Sequence, residues 1–322
     1  MYTISELQQI ISRQITAKLY PSSPRELYEP ISYMMALGGK RMRPALMLMA
    51  CNLYSEDISV AVDPAVAIEV FHNFTLLHDD IMDLAPLRRG RQTVHEKWNT
   101  PVAILSGDVM LVEAYKLLMG VEPGLLPEIL SIFNQTAVEV CEGQSIDMNF
   151  EQQSQVTIDQ YLEMIRLKTS VLLGGAAKIG ALLGGASPKD ANLLYDFGVN
   201  IGLAFQLQDD ILDVYGDPEK FGKQVGGDIL ANKKTFLLIK ARELAQGDDA
   251  ISLENWLNST ETLEKVAAVT AIFDKIGVKQ LAEAQMEYFA QKAFENLDQL
   301  DVPQERKEPL QQFSSQLLVR ES

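Results

Sequence analysis

Apolar residues recur mainly at three- and four-residue spacing along the chain, and clean alternation with period two is scarce. That spacing lines one face of an α-helix with apolar side chains, whereas a half-buried strand needs period two. Pro and Gly divide the pattern into long segments rather than short strands, at Pro21/Pro24, Gly38-Gly39, Pro64, Pro86, Pro101, Pro123/Pro127, Pro188, Pro218 and Gly226-Gly227. The spacing therefore predicts an all-α fold. No low-complexity linker divides the 322 residues, so one helical domain, 1–322, is expected. The most polar stretch, about 245–262 (QGDDAISLENWLNSTE), is expected to be a surface excursion.

Charge narrows the partners. With 44 acidic and 28 basic residues the net charge is −16, a surface that repels nucleic acid and anionic membranes. An anionic ligand would have to be held by a local cluster of cations. The two cysteines, Cys51 and Cys141, lie far apart in apolar stretches and are expected to be reduced core residues, not a disulfide or a zinc site. The first twenty residues read as an amphipathic helix containing Glu6 rather than a secretory signal. The best candidate for a membrane span, VLLGGAAKIGALLGG, is interrupted by Lys178. No membrane span, no nucleic-acid partner and a cytoplasmic location are expected.

Two acidic motifs carry the chemistry. Asp79-Asp80-Ile81-Met82-Asp83 ends the apolar run AVAIEVFHNFTLLH, and Asp209-Asp210-Ile211-Leu212-Asp213 ends NIGLAFQLQ with the same internal spacing. On a helix, Asp79 and Asp83 stand about 40° apart around the axis and roughly 6 Å along it. Two such carboxylates repel by about 2–3 kcal/mol at an effective dielectric of roughly 20, a penalty that a bridging cation removes. Hard oxygens with no nearby Cys or clustered His select Mg²⁺, or Mn²⁺ in its place, over zinc. One such motif in an acidic protein reads most simply as a solvated helix face; two copies, each closing an apolar helix, point to function. The loop glycine and spacing of an EF-hand are absent. The octets LLHDDIMD and QLQDDILD echo each other, but their flanks do not match, so no internal repeat is inferred.

Mg²⁺ held by one or two carboxylates commonly fills its remaining positions with water and substrate phosphate, and the chain carries the cations that such a substrate requires. Gly38-Gly39-Lys40-Arg41-Met42-Arg43-Pro44 is a glycine-hinged basic turn before an apolar helix, and Arg88-Arg89-Gly90-Arg91 follows the first acidic motif. Arginine forks onto phosphate oxygens. Lys168-Thr169 lies inside an apolar helix, where a lysine could equally reach out to solvent. After the second motif come Phe221-Gly222-Lys223, Gly226-Gly227-Asp228 and Lys233-Lys234-Thr235, readable as a phosphate lid or as a polar surface loop.

In their order and content, GGKRMRP, HDDIMD with RRG four residues on, Lys168-Thr169, QLQDDILD and FGKQVGGD resemble the trans-isoprenyl diphosphate synthase (polyprenyl synthetase) family over about residues 36–240. The resemblance implies a bundle of long antiparallel helices around a central cavity, the isoprenoid synthase type, usually as a homodimer. It also implies that Asp79, Asp80 and Asp83, with Asp209, Asp210 and Asp213, hold about three Mg²⁺ against an allylic diphosphate (dimethylallyl, geranyl or farnesyl). By the same resemblance Arg88, Lys168, Lys223 and Lys233 bind that diphosphate, while Lys40, Arg43, His72 and Arg89 bind isopentenyl diphosphate. Thr169 and Gln206 would line the space where a carbocation forms, and Asp228 would act through bound water. His78 is expected to pack rather than react.

Positions upstream of Asp79 descend at about 1.5 Å per residue along the helix, which places Phe74 and Phe71 one turn apart on a similar face. Simple core packing explains both. In the family, however, a bulky aromatic five positions before the motif often forms the cavity floor, and Thr75 leaves the neighbouring side more open. The first motif also lacks the two extra residues of many bacterial farnesyl-type enzymes. The expected product is geranylgeranyl diphosphate, with farnesyl diphosphate next. The rival readings are a terpene cyclase, which needs no second diphosphate site, and a non-catalytic partner subunit, which would not need both motifs complete.

Overall fold

The computed structural model describes residues 1–217 and 226–318, apart from the side chain of Leu263. In chain order the helices are α1 (Ile4–Ala17), α2 (Arg25–Ala36), α3 (Met42–Asn52), α4 (Ser59–Met82), α5 (Val94–Lys97), α6 (Thr100–Leu118), α7 (Leu126–Gln152), α8 (Ile158–Ile165), α9 (Val171–Leu183) and α10 (Pro188–Tyr215). They continue as α11 (Gly227–Leu230), α12 (Phe236–Leu244), α13 (Gly247–Leu257), α14 (Thr262–Ile276), α15 (Val278–Asp298) and α16 (Gln304–Leu318). Among the described residues the sheet content is one antiparallel hairpin, β1 (Leu87–Arg88) against β2 (Arg91–Gln92). The fold is all-α, as the periodicity predicts.

The chain forms two compact units. One comprises Met1–Asn134, Gly175–Leu194 and Asp301–Leu310; the other comprises Gln135–Gly174, Tyr195–Leu300 and Gln311–Ser322. In the first, α4 packs along α6 and α3, and α1 packs on α3. Helix α1 starts at a capping box, in which Thr3 Oγ1 accepts from the Glu6 amide and Glu6 Oε2 accepts from the Thr3 amide at 2.8 Å. Its buried residues, Leu7, Ile11 and Ile15, recur every fourth position. Close approaches of helix backbones depend on glycine: a side chain at Gly180 would meet the Met47 carbonyl oxygen at 2.1 Å.

By length and a mean hydropathy of 1.3 alone, α4 could cross a membrane, a candidate that Asp63 and Asp79-Asp80 hide from simple inspection. It is a core helix: 61% of its apolar window is buried. In the second unit, α8, α10, α12, α13, α14 and α15 surround a core that includes Tyr161, Leu207, Phe236, Leu253 and Phe273. Two expectations need correction. Residues 247–257 form helix α13 and bury Leu253 and Leu257, so the polar stretch is an amphipathic helix rather than an excursion. Cys51 is buried as expected, whereas Cys141 is exposed on α7.

Candidate active site

Helix α4 carries the first acidic motif to its end, where Asp83 is the C-cap and its amide donates to the Asp79 carbonyl at 2.9 Å. The helix turns the three carboxylates to different surroundings. Asp83 is exposed, Asp79 is part-buried, and Asp80 is 2% exposed. Arg88 Nε donates to both oxygens of Asp80 at 2.9 Å, and its NH2 lies 2.8 Å from Asp80 Oδ1 and 3.7 Å from Asp79 Oδ2. Burial lifts the Asp80 carboxyl above its usual range, and Arg88 pulls against that shift. Arg88 arrives there because the chain reverses in a two-residue hairpin. Its central residues Arg89 and Gly90 have φ of 54° and 73°, the left-handed pair that a type I′ turn requires.

The basic turn before α3 sits against this hairpin. Gly38 and Gly39 have φ of 80° and 140°, and Arg89 NH1 donates to the Gly38 carbonyl. A Cβ on Gly39 would stand 2.9 Å from both terminal nitrogens of Arg89, so glycine there makes room for the guanidinium. The Lys40 carbonyl accepts from Gln8 Nε2 at 2.7 Å. Arg43 NH1 lies 3.2 Å from His72 Nε2. Burial, then Arg43, Arg89, Arg88 and Arg41, push the His72 imidazole well below its ordinary pKa, so it is neutral and accepts from Arg43 through Nε2. The structure thus brings Lys40, Arg43, His72, Arg88 and Arg89 into the same unit as Asp79, Asp80 and Asp83.

The second unit holds the other acids. Asp209 is part-buried on α10, while Asp210 and Asp213 are buried. Asp210 Oδ2 accepts from the Tyr161 hydroxyl at 2.5 Å and from the Phe236 amide at 3.4 Å. Burial, reinforced by Asp228, pushes the Asp210 carboxyl up to about 7, with Tyr161 opposing. Asp213 Oδ2 accepts from the Asp228 amide at 2.9 Å, and the Asp213 carbonyl accepts from the Gly226 amide at 2.6 Å. Asp228 Oδ1 stands 3.9 Å from Lys233 Nζ. Lys223 lies outside the described residues.

Lys168 and Thr169 belong to a π-helical turn, Arg166–Ser170, between α8 and α9, not to regular helix. Such one-turn widenings frequently mark functional sites. Lys168 Nζ lies 2.5 Å from Asp147 Oδ2, and Thr169 Oγ1 donates to Gln206 Oε1 at 3.4 Å. Helix α7 approaches closely because Gly143 has no side chain: a Cβ there would sit 2.2 Å from the Lys168 amide nitrogen. Sequence reasoning missed Asp147. The available signal was Gly143 and Asp147 one turn apart on one face of α7.

Phe74 and Phe71 do stack, with ring centroids 5.7 Å apart, and the stack continues through Phe133 (5.2 Å from Phe71) to Tyr115 (5.2 Å from Phe133). The last two come from α7 and α6 and were not anticipated. Phe74 is part-buried while Phe71 is buried, and Thr75 Oγ1 donates to the His72 carbonyl at 2.8 Å. His78 packs edge-on to Phe74, and its Nε2 stands 3.2 Å from the Ile104 carbonyl. Gly107 accommodates that imidazole, since a Cβ there would lie 2.3 Å from Nε2.

Among the described residues, no three acidic, histidine or cysteine side chains converge as a ready-made metal cage. The donor chemistry of each unit nonetheless fits a hard cation that keeps water and substrate oxygens among its ligands: Asp79 and Asp83 in the first unit, and separately Asp209 in the second, are carboxylates that are not fully buried.

Comparison with known proteins gives a consistent result. The family model for Polyprenyl synthetase matches residues 24–276. A geranylgeranyl diphosphate synthase of Methanosarcina mazei is 40% identical over 305 residues, covering 92% of this chain and 91% of the relative. A short chain isoprenyl diphosphate synthase of Methanothermobacter thermautotrophicus is 36% identical over 322 residues, covering 100% of this chain and 98% of the relative. The crystal structure of a geranylgeranyl pyrophosphate synthase superposes with a TM-score of 0.95 at 45% identity, covering 100% of both chains.

Proposed function

Because the chain belongs to the polyprenyl synthetase family, we propose that it is a trans-prenyltransferase acting as one domain, 1–322, which condenses isopentenyl diphosphate with an allylic diphosphate to make geranylgeranyl diphosphate. The observation that carries this reading is the concentration of Arg43, Arg88 and Arg89 around a neutral His72, beside Asp79 and Asp83, in a chain of net charge −16. Such a cluster suits a substrate with several negative oxygens.

Asp79, Asp80 and Asp83, with Asp209, Asp210 and Asp213, are the metal ligands in this proposal, for about three Mg²⁺ or Mn²⁺. When bound, the metal neutralises the leaving diphosphate so that the allylic carbon–oxygen bond can ionise. Within that set Asp80 also accepts from Arg88, Asp210 from Tyr161 and the Phe236 amide, and Asp213 from the Asp228 amide. Arg88, Lys168, Lys223 and Lys233 hold the allylic diphosphate, with Asp147 fixing the Lys168 ammonium. Lys40, Arg43, His72 and Arg89 hold isopentenyl diphosphate. The oxygens of Thr169 and Gln206 face the developing positive charge. The isopentenyl double bond attacks the cation, and the departing diphosphate takes the proton that is lost.

The aromatic stack from Phe74 through Phe71 to Phe133 supports a short product. Farnesyl diphosphate is the second reading, favoured by the buried Phe71 directly behind Phe74. A homodimer is supported by an exposed apolar stripe on α6, Ile104, Leu105 and Val112, continued by its C-cap residue Met119. Incubation with isopentenyl diphosphate and each allylic primer tests the activity: linear prenyl diphosphates are expected, whereas cyclic hydrocarbon or no consumption of isopentenyl diphosphate would overturn it.

A further inference from the structure

Arg41 stands between Lys40 and Arg43 in the sequence but does not share their surroundings. Its side chain turns inward and is 8% exposed. It forms a buried ion pair with Glu69 of α4, itself 2% exposed, and donates through NH2 to the Met35 carbonyl at 2.8 Å. Asn73, one turn on from Glu69, donates through Nδ2 to the Glu69 carbonyl at 2.8 Å and to Glu69 Oε1 at 3.1 Å. The Arg41 backbone has φ of 49°, a left-handed conformation that is strained for a non-glycine residue. Such a conformation persists only where its surroundings over-determine it, and here the buried pair does so.

The position of this network matters. Arg41 is flanked by Gly39, whose missing side chain admits the Arg89 guanidinium, and by Arg43, which meets His72. The Glu69 carboxylate also acts at longer range, since it opposes the effect of burial on both Arg43 and Arg89 and favours their charged forms.

We propose that Glu69 is a positioning residue for the isopentenyl diphosphate cluster: by clamping Arg41, it holds Lys40, Arg43 and the Arg89 pocket in one geometry without touching substrate. This rests on the assignment of Lys40, Arg43, His72 and Arg89 to isopentenyl diphosphate.

The test compares three variants by steady-state kinetics on both substrates, isothermal titration with isopentenyl diphosphate, and thermal unfolding. Glu69→Gln leaves the Arg41 guanidinium without its carboxylate, and the KM for isopentenyl diphosphate should rise about tenfold or more while the KM for the allylic diphosphate stays within about twofold. The pair Glu69→Gln with Arg41→Met removes both charges, so melting should return towards that of the unaltered protein while the isopentenyl diphosphate KM stays high. Arg43→Gln tests the underlying assignment and should raise the same KM. A raised KM in Arg43→Gln with an unchanged one in Glu69→Gln overturns the positioning role, as does an equal rise in both substrates' KM values. No change in Arg43→Gln overturns the assignment of the cluster and the inference with it.

Discussion

At the residue scale, adjacent aspartates meet different media because the helix turns them to different sides. Asp80 is sealed against Arg88, while Asp79 keeps solvent access beside it. Replacing Asp79 by Asn should therefore lower kcat by about 10²-fold or more and leave melting nearly unchanged, since it removes a carboxylate proposed to hold the metal that neutralises the leaving diphosphate. Asp80→Asn should in addition cost about 1–3 kcal/mol of stability, because an amide N–H then replaces one of the two carboxylate oxygens that accept from Arg88. Thermal unfolding and kcat on the two variants separate these effects. His72 gives a pH prediction. Its folded pKa lies well below the ordinary 6.5, so below about pH 6.5 the unfolded chain binds the proton and the folded one resists it. Stability is therefore fully present above that pH and declines as pH falls through 6.5 and below. Replacement by Gln, which can still accept from Arg43, should flatten that decline in denaturant titrations between pH 5 and 8. The motifs themselves were legible in the sequence, because repeated acids on apolar helices carry their own signal. The different surroundings within each were not, since Asp80 pairs with a residue eight positions on and Asp210 with Tyr161, forty-nine positions back.

At the element scale, the helical pattern was readable because period and punctuation are local properties. What escaped notice depends on contacts between elements. The stretch 247–257 looks like loop because two buried leucines are outnumbered by exposed polar residues, yet they dock on the core of the second unit. The π-helical turn at Lys168 has no sequence signature either; it goes with Gly143 and Gly202, where side chains would meet the Lys168 amide and Ser170. Phe74 and Phe71 were visible from the helical period of α4, whereas Phe133 and Tyr115 join them only through packing. If this stack is the floor for the growing chain, Phe74→Ala should shift the product distribution to longer chains by at least one five-carbon unit. An unchanged distribution by chromatography of the dephosphorylated products would move the floor elsewhere.

At the scale of the whole molecule, the acidic surface and the two cationic turns were legible from charge counting, and Lys40, Arg43, Arg88 and Arg89 lie in one compact unit. The exposed apolar stripe of α6 was not, because Leu105 and Val112 look like ordinary core residues until their neighbours are known. If the stripe is the contact between two copies, Leu105→Glu combined with Val112→Glu should halve the mass measured by light scattering, and an unaltered mass would exclude this face. The central claim is metal-assisted chain elongation with both diphosphates held at once. Its most direct test is the product formed from isopentenyl diphosphate and farnesyl diphosphate with Mg²⁺ and with EDTA. The account predicts a linear twenty-carbon diphosphate that disappears on chelation and returns when Mg²⁺ is restored; condensation that survives complete removal of divalent metal would contradict it.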